Sequence, residues 1–144
     1  MLDIPYSLLQ KIPPQAGFKV IWKTSVDTSY MRNPPFGLKF PTLFLITAGE
    51  GMFLNKETRL KYALNAPCAF FVDGRRLCRY QCTGEIWDLY CIQFSNIAIV
   101  PLIGLEPYRI YRLPAIEIYQ HLAEEIITSL TTASTESAFM AEYY

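Results

Sequence analysis

The sequence predicts a mainly β domain, a sandwich or barrel, closed by one or two helices. Three observations carry this. Between Phe40 and Asn96 short runs rich in β-branched and aromatic residues recur at roughly 8–12-residue spacing, with turn residues and no helical pattern between them. Hydrophobic content is 51%, with ten Tyr and nine Phe, which suits a β-rich core or a ligand cavity and excludes a disordered chain. At 144 residues the chain is one domain, long enough to bury roughly two-thirds of its unfolded surface without a disulfide or structural metal.

From the start, Met1 to Gln15 carries Pro5, Pro13 and Pro14, which keep it extended and out of any sheet interior, so residues 1–16 read as an arm. Phe18 to Val26 alternates as a half-buried first strand should. Tyr30 to Lys39 reads as a loop, with Asn33-Pro34-Pro35 holding the backbone extended and Gly37 allowing a bend. Thr42 to Thr47 is a strand, turned at Ala48-Gly49-Glu50-Gly51 because glycine reaches positive φ at little cost, with Met52 to Asn55 returning. Tyr62 to Leu64, Cys68 to Val72, Leu77 to Cys82 and Ile86 to Ser95 continue the series, broken at Asn65-Ala66-Pro67, Asp73-Gly74 and Thr83-Gly84.

Side-chain alternation sorts these strands into faces. In Leu77 to Cys82 the face holding Arg79 must reach water, so Cys78, Tyr80 and Cys82 point inward. In Ile86 to Ser95 both faces are largely apolar, so this strand is covered on both sides. After an apolar connector from Ile97 to Leu105 come a short strand, Tyr108 to Arg112, and Pro114 at a helix start. The apolar residues of Ala115 to Leu130 fill about half a cylinder, wider than the minimum stripe of about 100°. One edge of that face, Ile118, Leu122 and Ile126, can pack on the barrel. Glu136 to Tyr144 begins another amphipathic segment that stops without a cap, as a chain continuing beyond residue 144 would.

Charge and spacing narrow the function. The net charge is zero, yet all thirteen basic residues precede Leu113, while the stretch from Leu113 onward carries five glutamates. Arg75, Arg76 and Arg79 are the one basic cluster and read as a solvated turn, not as a duplex-binding face. Met1 to Ile12 lacks the pattern of a signal peptide, and the longest apolar run falls far short of the roughly 20 residues of a membrane span, so a soluble, cytoplasmic protein is expected. Cys68, Cys78, Cys82 and Cys91 form no CxxC pair and read as buried reduced thiols. The one histidine, His121, lies on the wet face of the helix between Glu117 and Glu125. No base therefore accompanies Cys91 or any serine, and no metal or cofactor is expected. Gly49-Glu50-Gly51 lacks the GK[ST] of a phosphate loop. The chain is not expected to be an enzyme.

A family resemblance adds to this. The Gly49-Glu50-Gly51 turn, the segment Leu64-Asn65-Ala66-Pro67-Cys68-Ala69-Phe70-Phe71-Val72, the Asp73-Gly74-Arg75 turn, Tyr80, and Trp87 with Leu89-Tyr90-Cys91-Ile92-Gln93-Phe94 resemble, in order and spacing, the amino-terminal cupin effector domain of AraC-family (arabinose-operon-type) transcriptional regulators. Ala66-Pro67 departs from the family's usual Gly-Asp at that turn. The resemblance implies a cupin-like double-stranded β-helix, a jelly-roll barrel over residues 17–112, and a helical dimerisation segment over 113–144. It further implies an arm that folds over the ligand mouth, and a helix-turn-helix DNA-binding domain beyond residue 144.

By the same resemblance the Trp87 and Cys91 face lines a cavity, and the face from Tyr90 to Phe94 lies under the helices. Trp22, Tyr80, Trp87 and Cys91 are the expected ligand-binding residues, with Arg32 as anchor for a hydroxyl or carboxylate, close to where the family carries a ligand-contacting arginine. The effector is expected to be a sugar or other small metabolite, the assembly a homodimer through Ile116, Ala123, Ile127 and Leu130, and DNA a partner only through the further domain. Three other readings fit the same residues: a stand-alone metal-free ligand-binding cupin, a regulator whose filled barrel answers to a protein partner, and a cofactor-free enzyme.

Overall fold

The computed structural model describes residues 2–3, 18–74, 76–95 and 105–132. Among these residues eight strands form one sheet: β1 (Leu2–Asp3), β2 (Phe18–Val26), β3 (Met31–Arg32), β4 (Thr42–Asn55), β5 (Lys61–Asn65), β6 (Cys68–Val72), β7 (Cys78–Phe94) and β8 (Ile110–Arg112), followed by helix α1 (Ile116–Thr132). The strand order is β1-β8-β6-β4-β7-β2, with β5 beside β4 and β3 beside β7. All pairings are antiparallel except β1 with β8, which is parallel. The described part of the expected arm is therefore an edge strand, and the predicted second helix lies outside the described residues.

β2 and β6 have the predicted bounds, whereas four predicted strands merge into two long ones. Ala48-Gly49-Glu50-Gly51 is not a hairpin turn and Thr83-Gly84 is not a break: both lie inside continuous strands of 14 and 17 residues. The two sites face each other. Along the β4–β7 ladder the register runs Thr42↔Gln93 to Ile46↔Leu89, shifts, passes through Ala48↔Asp88 and Gly49↔Trp87, shifts again, and resumes at Gly51↔Cys82. Glycine here bends a paired ribbon instead of ending a strand. Met31–Arg32, expected in a loop, is also a short strand, held by Met31↔Gln81 and Arg32↔Tyr80.

Trp87 fixes the bend. Its indole Nε1–H donates to the Leu64 carbonyl at 3.0 Å. A Cβ at Gly51 would sit 2.0 Å from the indole ring, and one at Gly49, where φ is +80°, would sit 1.9 Å from the Ile86 carbonyl oxygen. Both glycines are thus required by close approach, and at Gly49 by backbone conformation as well.

The bent ribbon separates two cores. Inside it lie Phe44, Ile46, Phe53, Leu64, Cys68, Phe70, Val72, Cys78, Tyr80, Cys82, Trp87, Leu89 and Cys91, all buried. On the outer side Ile21, Leu43, Leu45, Tyr90, Ile92 and Phe94 meet Tyr119, Leu122 and Ala123 of α1. Both expected inner faces are observed: Cys78, Tyr80 and Cys82 on one half of β7, Trp87 and Cys91 on the other, with Tyr90 to Phe94 beneath the helix.

α1 is rotated from the expected packing. Ile118, expected on the barrel, is 40% exposed, and Ala123, expected at a partner interface, is fully buried on the barrel; Ile116 and Ile127 also pack there. Tyr119 goes inward as the bulkiest apolar side chain of the helix, bringing its i−3, i+4 and i+8 neighbours with it. Beside this row the Tyr90 hydroxyl donates to Glu124 Oε1 at 2.5 Å, and Lys23 Nζ approaches the same oxygen at 3.4 Å. The side chains of Ile126 and Leu130 lie outside the described residues. We expect Gly51→Ala to destabilise the domain by about 1–3 kcal/mol through overpacking. Urea denaturation would measure it, and the penalty should shrink when Trp87→Leu removes the ring that the new methyl strikes.

Candidate functional site

The turn after β2 builds the rim of an open cleft. Asp27 accepts from the Ser29 N–H at 2.9 Å and the Ser29 hydroxyl at 2.5 Å, and the Tyr30 N–H donates to the Asp27 carbonyl at 3.0 Å. This local hydrogen bonding, typical of Asp two residues before its donor, reverses the chain so that β3 returns beside β7. The resulting cleft has a volume of about 680 Å³, within the usual range for small-molecule sites, and is lined by Ser25, Val26, Asp27, Ser29, Tyr30, Met31, Arg32 and Ile86.

Below the rim the walls are apolar. Val26 and Tyr30 pack against the inner core, so the floor of the cleft is the cover of the barrel interior. Beneath them the aromatic rings touch one another. Tyr30 and Tyr80 have centroids 6.4 Å apart, Phe44 and Tyr80 5.3 Å, and Phe53 stacks on Tyr80 at 6.4 Å with planes 6° apart. Phe53 and Phe70 continue the packing at 5.2 Å, with Tyr62 and Tyr108 beyond.

The five residues expected to bind ligand share this inner side. Register sets Trp22 opposite Cys91 and Arg32 opposite Tyr80, and Trp87 lies opposite Val26. They do not play equivalent parts. Arg32 is exposed and lines the cleft; Trp22 is half-buried and touches both cores; Tyr80 is 5% and Cys91 2% exposed beneath the cleft; Trp87 is fully buried and engaged at the bend. Tyr30 and Ile86 complete the cleft and were missed by sequence reasoning. The signal for Tyr30 is its period-two spacing from Arg32, masked by the loop signature of Asn33-Pro34-Pro35 beside it.

Electrostatics keep the interior neutral. Burial pushes the Tyr30 phenol from 10.0 up to about 12, with the Arg32 guanidinium opposing the rise. Burial also raises Tyr80 and Cys91 well above their ordinary ranges, again against Arg32. Cys68 and Cys78 are raised by burial from 9.0 to about 12 and about 11. These thiols are protonated at neutral pH and are poor nucleophiles. His121 is exposed on α1, 2.9 Å from Glu125, remote from the barrel interior. Among the described residues no three His, Cys, Asp or Glu side chains converge as metal ligands, and no helix is long and apolar enough to cross a membrane.

No protein-family model and no curated protein matches the sequence. Solved structures resemble it to different degrees. Unsaturated fatty acid-bound wild-type ToxT from Vibrio cholerae strain SCE256 matches 92% of this chain and 53% of its own, with a TM-score of 0.54 at 12% identity. A cupin superfamily protein from Desulfitobacterium hafniense matches 66% of this chain and 94% of its own, with a TM-score of 0.42 at 15% identity. Cobalt-loaded HppE in complex with substrate matches 52% and 44%, with a TM-score of 0.42 at 16% identity. The chain spans about half the length of ToxT. At 12% identity the likeness to ToxT is one of fold alone, that of a mainly β domain with a C-terminal helix.

The raised thiols and phenol set an alkaline limit. Below pH 9 they are protonated whether the chain is folded or not, and their contribution to stability is full. Above pH 9 the unfolded thiols ionise first, so stability should fall as pH rises through the folded values of Cys78, about 11, and then Cys68 and Tyr30, about 12. Thermal melts from pH 7 to 12 should show a flat region followed by this decline, with a shallower slope in Cys68→Ala.

Proposed function

We propose that this chain is the effector-sensing domain of a transcriptional regulator, and that the cleft at Tyr30 and Arg32 admits a small molecule with an apolar body and an anionic or hydroxylated head. The observation that carries the reading is the joining of a polar rim to an aromatic interior. Arg32 stands at the rim with no ion-pair partner among the described residues, and Val26 and Tyr30 separate it from Phe44, Phe53 and Tyr80. A guanidinium suits a planar carboxylate, and the rings beneath suit a hydrocarbon or aromatic body. The fold match to ToxT, which was solved with an unsaturated fatty acid bound and is matched over 53% of its length, supports the ligand class.

Strand β2 offers a route from ligand to helix. Trp22 faces the interior opposite Cys91, while its neighbour Lys23 lies opposite Tyr90 and approaches Glu124 of α1. A ligand that draws Trp22 or Tyr30 into one arrangement more strongly than another biases the seating of α1 by that difference in affinity. In this proposal α1 passes the bias to a DNA-binding unit elsewhere in the protein. The dense ring packing favours one alternative, a barrel already filled that answers to a protein partner on its surface.

Thermal shift against unsaturated fatty acids, aromatic acids and sugars separates the two. A ligand at a hundredfold excess over its Kd stabilises by about 2.7 kcal/mol. We expect such a response to a carboxylate-bearing apolar ligand, with affinity reduced about tenfold in Arg32→Ala, the scale of one charge-assisted hydrogen bond. No response across the panel sinks the small-ligand reading and leaves the filled barrel.

A further inference from the structure

Beyond the bend the sheet turns outward a face that no other described residue covers. Phe53 and Asn55 of β4 point into the barrel, so Glu50, Met52 and Leu54 point out. From β5 the register sets Lys61 beside Leu54, Ala63 beside Met52 and Asn65 beside Glu50. From β7 it sets Arg79 beside Leu54 and Gln81 beside Met52, and from β3 it sets Met31 beside Gln81. The face therefore has three rows. Lys61, Leu54 and Arg79 form a cationic end; Ala63, Met52, Gln81 and Met31 a largely apolar centre; Asn65 and Glu50 an acidic end, with exposed Glu85 on the adjoining bend.

Among the described residues this face has no cover. Helix α1 packs on the other half of the sheet, and neither Met52 nor Leu54 joins either buried cluster. Met31 is 54% exposed. The side chains of Lys61, Arg79, Glu50 and Glu85 make no hydrogen bond or ion pair among the described residues, and the Nε of Arg79 is buried without an acceptor. Leu54 and Glu50 are four residues apart, so the charged rows lie about 13 Å apart at about 3.3 Å per residue, on either side of Met52.

We propose that this face is a self-complementary docking surface occupied by a second copy of the chain. A two-fold axis near Met52 lays the cationic row of one copy on the acidic row of the other and packs the apolar centres together, as an isologous interface requires. Nucleic acid and anionic lipid fit less well, because Glu50 and Glu85 repel a uniformly negative surface. Zero net charge leaves no overall repulsion between copies. Helix α1 offers a poorer face, since Ala123 is buried and Ile118 is its one well-exposed apolar side chain among those described.

Sedimentation equilibrium of the chain over a range of concentration and salt tests this, with circular dichroism confirming that each variant is folded. The expected result is a dimer weakened by salt. Ala63→Arg, at an exposed position, should raise its dissociation constant by about tenfold or more, as should Glu50→Lys and Lys61→Glu singly. Glu50→Lys with Lys61→Glu should restore association, because each new charge meets its opposite across the axis. A chain monomeric at every concentration overturns the proposal. So does a dimer that tolerates Ala63→Arg but is lost in Ile118→Lys, or charge reversals that the double variant does not rescue.

Discussion

The contact between the Trp87 indole and the bare backbone at Gly51 decides the shape of this molecule. With a side chain at position 51 the two long strands could not close on each other there, because the ring already fills that space. With the ring in place, the ribbon bends and its inner side becomes a pocket wall. The indole N–H then finds the Leu64 carbonyl, which ties β5 to the same point and leaves the buried donor satisfied. One aromatic side chain thus sets the bend, the fold-back of β5 onto β4, and the depth of the interior. Its burial is structural, which separates Trp87 from Arg32 and Tyr30 although all lie on the inner side.

From the bend follows the division of labour between the two sheet faces. Near Thr42 to Ile46 the ribbon is covered on both sides, and every residue of that stretch is buried. The outer side there belongs to α1, whose rotation is fixed by Tyr119 going inward and by Glu124 meeting the Tyr90 hydroxyl. That bond holds the Glu124 carboxyl below its ordinary range, chiefly through the Tyr90 hydrogen bond, so the contact depends on an ionised carboxylate. Past the bend no helix among the described residues follows, and half-buried Met52 and Leu54 mark where their cover ends.

The strand faces were legible in the sequence because a side-chain period of two leaves little freedom once Arg79 must reach water. β2 was legible to the residue by the same alternation, and β6 because Asn65-Ala66-Pro67 and Asp73-Gly74 bound an apolar run. Strand continuity was not, because Gly49, Gly51 and Gly84 carry the same signal whether a chain reverses or two paired strands bend together, and only the partner strand decides. The helix was legible, but not its rotation. An apolar half-cylinder packs equally well through either edge until Tyr119 and Glu124 find Ile92, Phe94 and Tyr90. Of the cleft, Arg32, Tyr80 and Cys91 could be named from pattern and resemblance. Ser25, Asp27 and Ser29 could not, because in sequence they are ordinary turn residues, and they become a rim only when β3 returns beside β7.

Rigidity is distributed as a sensing role demands. Trp87, Phe44, Phe53 and Phe70 are locked by contacts on every side, and moving any of them would disturb the bend or the interior packing. β3 is different: two residues long, it pairs with Gln81 and Tyr80 and carries exposed Met31 and Arg32. The preceding turn rests on one aspartate and its hydrogen bonds to Ser29 and Tyr30. Segments with few buried contacts lie at the low end of local stability and open first. A ligand at the cleft therefore acts on the cheapest part of the structure to move, while the floor of the cleft stays anchored to the most costly. Any difference in affinity between two positions of Tyr30 and Arg32 can then be expressed without loosening the barrel, and Trp22, adjoining both cores, stands where that difference can reach α1.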